Sequence, residues 1–401
     1  QGGGSRIGAS GTGATDLTLV VDNNLTMTGG SVSGAAIGSG IAGGGTTALD
    51  ITVGGAVTLN PGSVSTAGAR IGSPAAAPSA GDISLVAGGA VSLLGTVAGE
   101  TAIRTLGRVD VQGNTLDIRN TVSGSEVALH GLVGVALSGV AAVDASAAGT
   151  ALKVIADSGS FSNSAGSAAL STPNGRWLVY SADPTVDTRG GLVYDFKQYD
   201  ALPGDTVLGT GNGFLYSIAP TVTASLVGTV SKTYDGTDVA TLSATNYVAT
   251  GIDGDTVTLN NPTTGTYDTK GVGSGKLVTV GGLSVVSAVD GSAPVYGYNP
   301  VVAPASASIG SIGSATISAI TGITAANKVY DSTQVATLTT TGASFTGMAI
   351  GDTLTVTGAT GLFDTKDVGT GKTVNISGLV LAGADSANYT LTNSTATTTA
   401  N

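Results

Sequence analysis

The chain of 401 residues has no cysteine, one histidine and one tryptophan. Without cysteine there are no disulfides, zinc–thiolate sites or thiol nucleophiles. The lone His130 leaves no route to a multi-histidine metal centre. A Ser-His-Asp triad would have to be built on that residue, which lies in a strongly apolar strand line and reads as structural. Charge is also scarce: 10% of residues are charged, against roughly 25% in an ordinary soluble domain. The net charge is −11, a surface that a phosphate backbone repels, so nucleic acid is excluded as a partner. The longest apolar stretch, residues 127–143, is broken by His130, Ser138 and three glycines. It falls short of the roughly 20 apolar residues that a spanning helix needs, so no transmembrane segment is expected.

What the chain does have is 41% hydrophobic residues and 64 glycines, with many Val, Ser, Thr and Ala. That is too apolar and too weakly charged for a disordered chain. Residues 1–170 are repetitive. DLTLVV from Asp16, DITV from Asp50 and DISLV from Asp82 open similar units. A second short strand follows each one, at residues 25–27, 56–59 and 90–93. A third is expected at 31–33, 62–65 and 95–97, after Gly-Gly or Asn-based turns. Apolar and small polar residues alternate with period 2, which predicts strands with one buried face. No stretch carries helical periodicity with caps.

Short strands at near-regular intervals with Gly corners predict a right-handed parallel β-solenoid over residues 1–170. With roughly 20 residues per coil, this region makes about eight coils. Residues 41–47 and 73–80 are expected to loop out on one side. The rival architecture, an array of β-sandwiches, fits less well because the strands are short and their intervals uniform. An aromatic-rich segment, residues 171–220, contains Trp177 and several of the eleven tyrosines and is expected to cap the solenoid. A cap is needed because an open last coil would present an edge for aggregation.

The second half repeats itself. KTYDGTDVATL from Lys232 matches KVYDSTQVATL from Lys328. Gly254-Asp255 matches Gly351-Asp352, and YDTKGVGSGK from Tyr267 matches FDTKDVGTGK from Phe363. Each copy carries several short strands with regular turn signals, which predicts two small β-sandwich modules at 221–310 and 311–401. The Tyr234-Asp235-Gly236 and Tyr330-Asp331 motifs mark equivalent turns. In such a turn the Asp accepts backbone hydrogen bonds, the Tyr packs beside it and the preceding Lys pairs with a carboxylate. Asp235, Asp255 and Asp268, or Asp331, Asp352 and Asp364, could instead converge on a cation. No loop has the dense carboxylate pattern that calcium prefers, and the turn reading is the one adopted. No cofactor and no catalytic residue is expected.

These motifs resemble known families. VGGAVTL at 53–59 and AGGAVSL at 87–93 look like the haemagglutinin-type β-helix of two-partner-secreted bacterial exoproteins. GRWLVYSADP at 175–184 resembles the block that closes that helix, and the tandem motifs resemble the YDG module of large bacterial surface proteins. The resemblance implies a secreted or cell-surface protein of a Gram-negative bacterium, exported through an outer-membrane partner. Its role would be adhesion or biofilm-matrix cohesion, with glycans or exopolysaccharide as ligands. The start at Gln1, in what reads as mid-repeat, suggests a piece of a longer chain. Four Asn-X-Ser/Thr sequons, beginning at Asn24, Asn375, Asn388 and Asn393, are formal glycosylation sites.

Two other functions stay open. The chain could be the subunit of a self-assembling filament, a homopolymer in which Thr390, Leu391 and Thr392 form a donated strand. It could also be a β-helix polysaccharide-active enzyme working through Asp16, Asp50 and Asp82. Those three recur at equivalent strand starts, where turn chemistry accounts for them.

Overall fold

A computed structural model describes residues 4–8, 16–38, 48–74, 79–97 and 99–401, and the protein is all-β. The expected loop at 41–47, and residues 75–78 of the one at 73–80, lie outside the described residues. The chain divides into two compact units. The first comprises residues 1–222 with 250–258 and 285–300; the second comprises 223–249, 259–284 and 301–401. Two pieces of the first repeat therefore belong with the aromatic segment, a division that differs from the sequence boundaries at 220 and 310.

Most strands of the first unit are parallel and stack in register. One apolar column runs Leu19, Ile51, Leu85, Val111, Leu129, Val154, Val179 and Phe214, each paired with the next. A second runs Leu25, Val57, Val91, Leu116, Val135 and Phe161. A third runs Ile7, Ile37, Ile71, Ile103, Val122, Val143 and Leu170 through a seven-stranded sheet. Alternate side chains point inward because the strand period is two, and in-register stacking puts like residue on like residue. From Ile51 onward the first column is fully buried.

The third strands do not lie at 31–33, 62–65 and 95–97, none of which is strand. They lie a few residues later, at Ala36–Ile37, Arg70–Gly72 and Thr101–Arg104. Burial explains the shift. Ile37, Ile71 and Ile103 are within 1% of complete burial, whereas Val32 is 76% exposed. The turns of the stack are also unequal in length: paired Val109 and Val127 are closer in sequence than paired Leu49 and Ile83. Asp82 Oδ1 accepts the Arg108 N–H of the neighbouring strand at 2.8 Å, and Asp16 Oδ1 faces Ala48 N–H at 3.4 Å. Asp16, Asp50 and Asp82 line one shallow groove.

Trp177 continues the column Leu49, Ile83, Val109, Val127 and Leu152 as its last member. It is 3% exposed and meets Phe214 edge-on at 5.2 Å. Phe214 also takes Tyr194 edge-on at 5.2 Å and Phe161 at 6.0 Å. Large rings thus follow where the small side chains of the stack end. The sheet continues through Gly213–Tyr216 and Phe196–Gln198 into Ala293–Tyr296 and Val285–Asp290. Residues 127–143 form the strands Val127–Leu137 and Ala142–Ala145, and no helix among the described residues is long and apolar enough to cross a membrane.

The second unit holds the rest of the first repeat and all of the second. Val239–Thr241, Thr264–Tyr267, Gly273–Val280 and Ala305–Gly313 form an antiparallel sheet, with Val230–Thr233 on its edge. Val335–Ala336, Thr360–Phe363, Lys372–Ser377 and Ala396–Ala400 repeat that order. Thr390 and Leu391 pair in parallel with Thr316 and Ile317, and Thr392 N–H donates to Ile317 O at 3.1 Å. This segment is therefore already engaged within its own unit.

Candidate functional site

The YDG turns have one geometry in both copies. Asp235 Oδ1 accepts Thr237 N–H at 2.9 Å and the Thr237 hydroxyl at 2.8 Å. Lys232 Nζ donates to Asp235 Oδ1 at 2.7 Å and to Thr237 O at 2.8 Å. In the second copy Asp331, Thr333 and Lys328 repeat these bonds at 2.8–2.9 Å. With Lys328 and the Thr333 N–H donating to it, the Asp331 carboxyl is held down at about 2. Gly236 at φ 80° and Ser332 at φ 64° occupy the same left-handed position. Glycine enters it freely, and Ser332 pays a small steric cost there.

The two tyrosines beside these turns differ sharply. Tyr234 is 4% exposed and Tyr330 54%. Tyr234 donates its hydroxyl to Asp352 Oδ2 at 2.7 Å, and Tyr389 donates to the same oxygen at 2.6 Å. Lys270 Nζ donates to Asp352 Oδ1 at 3.0 Å. The two rings meet edge-on at 5.4 Å, and Tyr389 Oη accepts Ala349 N–H at 2.8 Å. Val272 N–H donates to Asn388 Oδ1 at 3.0 Å. Burial pushes the Asp352 carboxyl pKa up, but both phenols and Lys270 outweigh it, and the net shift is downward. The first repeat thus holds the second by inserting its motif tyrosine against a buried carboxylate.

The first unit contains a counterpart. Tyr199 donates to Asp255 Oδ2 at 2.6 Å and Tyr298 donates to it at 2.8 Å. The rings meet edge-on at 5.1 Å, and Tyr298 Oη accepts Ile252 N–H at 2.9 Å. Asp255 and Tyr298 are the first-repeat equivalents of Asp352 and Tyr389, so Tyr199 of the aromatic segment does what Tyr234 does one repeat later.

The cation differs. Lys197 Nζ is wholly buried; it is 2.8 Å from both Asp253 and Asp290 and also paired with Asp255. Arg189 binds Asp253 and donates to Tyr216 Oη at 2.9 Å, and Tyr194 donates to Asp290. Burial pulls the Lys197 pKa down, but the three carboxylates outweigh it and the net shift is upward. Burial and the Asp290 carboxylate push the Tyr194 phenol up to about 12.

Asp253, Asp255 and Asp290 form the one cluster of potential metal-ligating groups among the described residues. The ammonium of Lys197 already stands where a cation would sit. Asp235 and Asp268 are paired with Lys232 and Lys276, and Asp331 and Asp364 with Lys328 and Lys372, and neither alternative triad converges among the described residues. His130 Nε2 faces Asp157 Oδ2 at 2.6 Å, while the adjacent Ser158 gives its hydroxyl to Leu132 O. That pair does not form a triad.

Asp187 lies next to this network. Its carboxylate accepts Phe161 N–H at 2.8 Å and the Ser181 hydroxyl at 2.6 Å, but burial pushes it up to about 6. A carboxyl raised on folding adds stability fully below its unfolded pKa, and that stability is lost as pH rises through the folded value. Asp187→Asn should therefore stabilise the first unit at pH 7, by roughly 2 kcal/mol, and change little at pH 4. Urea melts followed by Trp177 fluorescence at both pH values check this; equal effects at both would sink it.

The alternation and repeat pattern do not predict the pairing of Lys197, Tyr199 and Tyr298 with Asp253, Asp255 and Asp290. A signal was present: Lys197-Gln-Tyr199-Asp200 shares Lys-X-Tyr-Asp with Lys232-Thr-Tyr234-Asp235 and Lys328-Val-Tyr330-Asp331.

Residues 219–293 and 315–399 each match the YDG domain. No curated protein and no solved structure matches the chain.

Proposed function

We propose that the chain is a non-catalytic structural segment of an extracellular adhesin or biofilm-matrix protein, exported through an outer-membrane partner of a Gram-negative bacterium. The stacked parallel columns are read as coils of a right-handed β-solenoid that provides reach. Residues 171–220 are read as its cap, and each YDG copy as a small sandwich. The haemagglutinin-like lines at 53–59 and 87–93 support export by two-partner secretion. The many uncharged Ser and Thr side chains suit contact with glycans or exopolysaccharide.

The observation that carries this reading is the repeated Tyr–Asp junction. At Asp352, one carboxylate oxygen takes two phenols and the other takes an ammonium. The groups that could do chemistry are spent on one another. Such a site is a joint that holds segments together.

Beads coated with the chain should stay attached under flow to a film of bacterial exopolysaccharide or a glycan array, and soluble glycan should release them. Release indistinguishable from uncoated beads would overturn the adhesive reading. If electron microscopy then showed long polymers of the chain, the filament function would take its place. Polysaccharide cleavage that disappears in Asp16→Asn, Asp50→Asn and Asp82→Asn variants would establish the enzyme instead.

A further inference from the structure

The surface that the first repeat uses to hold the second is present again on the second repeat. In the first repeat it consists of Tyr234, Gly236, Lys270 and Val272, which meet Asp352, Ala349 and Asn388. The second-repeat equivalents are Tyr330, Ser332, Lys366 and Val368. Tyr330, Lys366 and Val368 open onto a groove of about 330 Å³, lined also by Lys328 and Phe363. Tyr330 is 54% exposed, Val368 87% and Val329 90%. Three large apolar side chains crowded on one face mark an interaction surface more often than a free one. The turn that presents Tyr330 already has the Lys–Asp–Thr bonding of its buried counterpart. The surface is thus preorganised, and little ordering cost remains to be met on binding.

We infer that this face is a docking site for the Asp–Tyr end of a further YDG module, with Tyr330 inserting between that module's equivalents of Asp352 and Tyr389. The occupant is fixed by two examples in this chain. Tyr199 fills the Asp255–Tyr298 end, and Tyr234 fills the Asp352–Tyr389 end, with the same phenol-to-Oδ2 bond and edge-on ring pair. A second copy of this chain does not offer such an end, because both of its own are taken. The partner must therefore be another module with a free Gly-Asp turn and Asn-Tyr pair. Lys366 would meet its aspartate as Lys270 meets Asp352. This inference is independent of the adhesive reading; it needs only that the junction be modular.

The test uses the absence of native cysteine. A Cβ placed on Gly236 would stand 3.1 Å from Ala349 Cβ, slightly shorter than the usual disulfide range of roughly 3.5–4.5 Å. Gly236→Cys with Ala349→Cys in the unextended chain is the control pair. The test chain carries a second copy of residues 312–401 joined after Asn401, with Ser332→Cys and with Ala349→Cys in the added copy. Under mild oxidation the test pair should close as completely as the control. Tyr330→Ala, or Asp352→Leu in the added copy, should slow closure at least tenfold. The inference is overturned if the control closes and the test pair stays open, or if closure ignores both substitutions. A protease-sensitive added copy would also overturn it, since the same residues fold against Tyr234 in the parent chain.

Discussion

Replacing Lys197 with methionine should cost the first unit about 3–5 kcal/mol, the penalty typical of removing one partner from a buried ion pair. The side chain is wholly buried, and its ammonium contacts Asp253, Asp255 and Asp290. Methionine fills similar volume, so little of the loss comes from packing; it comes from three carboxylates left with Arg189 as their nearest cation. Arg189 pairs with Asp253 and stands 4.0 Å from Asp290, so Asp255 loses its cation altogether. Adding Asp255→Asn to Lys197→Met should recover part of the loss, since a neutral amide needs no counter-charge. Denaturant unfolding followed by Trp177, which is buried against Phe214, reads the effect in this unit. A loss below about 1 kcal/mol, the scale of an exposed pair, would mean that water reaches the cluster.

The second large effect is a contrast between equivalent residues. Tyr234→Ala should cost about 3–5 kcal/mol, because it removes a buried ring and leaves Asp352 with one phenol fewer. Tyr330→Ala, in the same motif, should change stability by no more than about 0.5 kcal/mol, as expected for an exposed position. Calorimetry on the two variants separates them directly. The motif sequence is shared, so any difference must come from what covers it. Tyr234→Phe should fall between them, at about 1–2 kcal/mol, since Tyr389 and Lys270 still serve Asp352. If Tyr234→Ala and Tyr330→Ala cost the same, the junction contributes nothing beyond the local turn.

The all-β class could be read from the alternation in lines such as Asp50-Ile-Thr-Val and Asp82-Ile-Ser-Leu-Val, because a period of two dictates which side chains point inward, and the parallel stacking from the recurrence of such lines at near-regular intervals. The third strand of each turn was misplaced because valines such as Val32 satisfy the same local pattern as Ile37. Burial separates them, and burial depends on neighbouring layers. The Lys232–Asp235 and Lys328–Asp331 pairs could be read because three residues span a turn. The partnership of Tyr234 with Asp352 could not, since it joins residues 118 apart and alternation carries no record of long-range pairing. Lys197 was hidden for a different reason. Its Lys-X-Tyr-Asp context matches the repeats, but its ammonium serves three distant carboxylates where Lys232 serves the adjacent aspartate.

The unequal turns of the parallel stack carry a consequence for how such a chain changes over generations. Val109 and Val127 hold the same register position on neighbouring strands, as do Leu49 and Ile83 across a longer stretch. A segment that begins and ends in one register position is a self-contained increment. Copying or deleting it leaves the strands on either side with equivalent partners, whatever the number of residues in its corners. Length can therefore be edited like links in a chain.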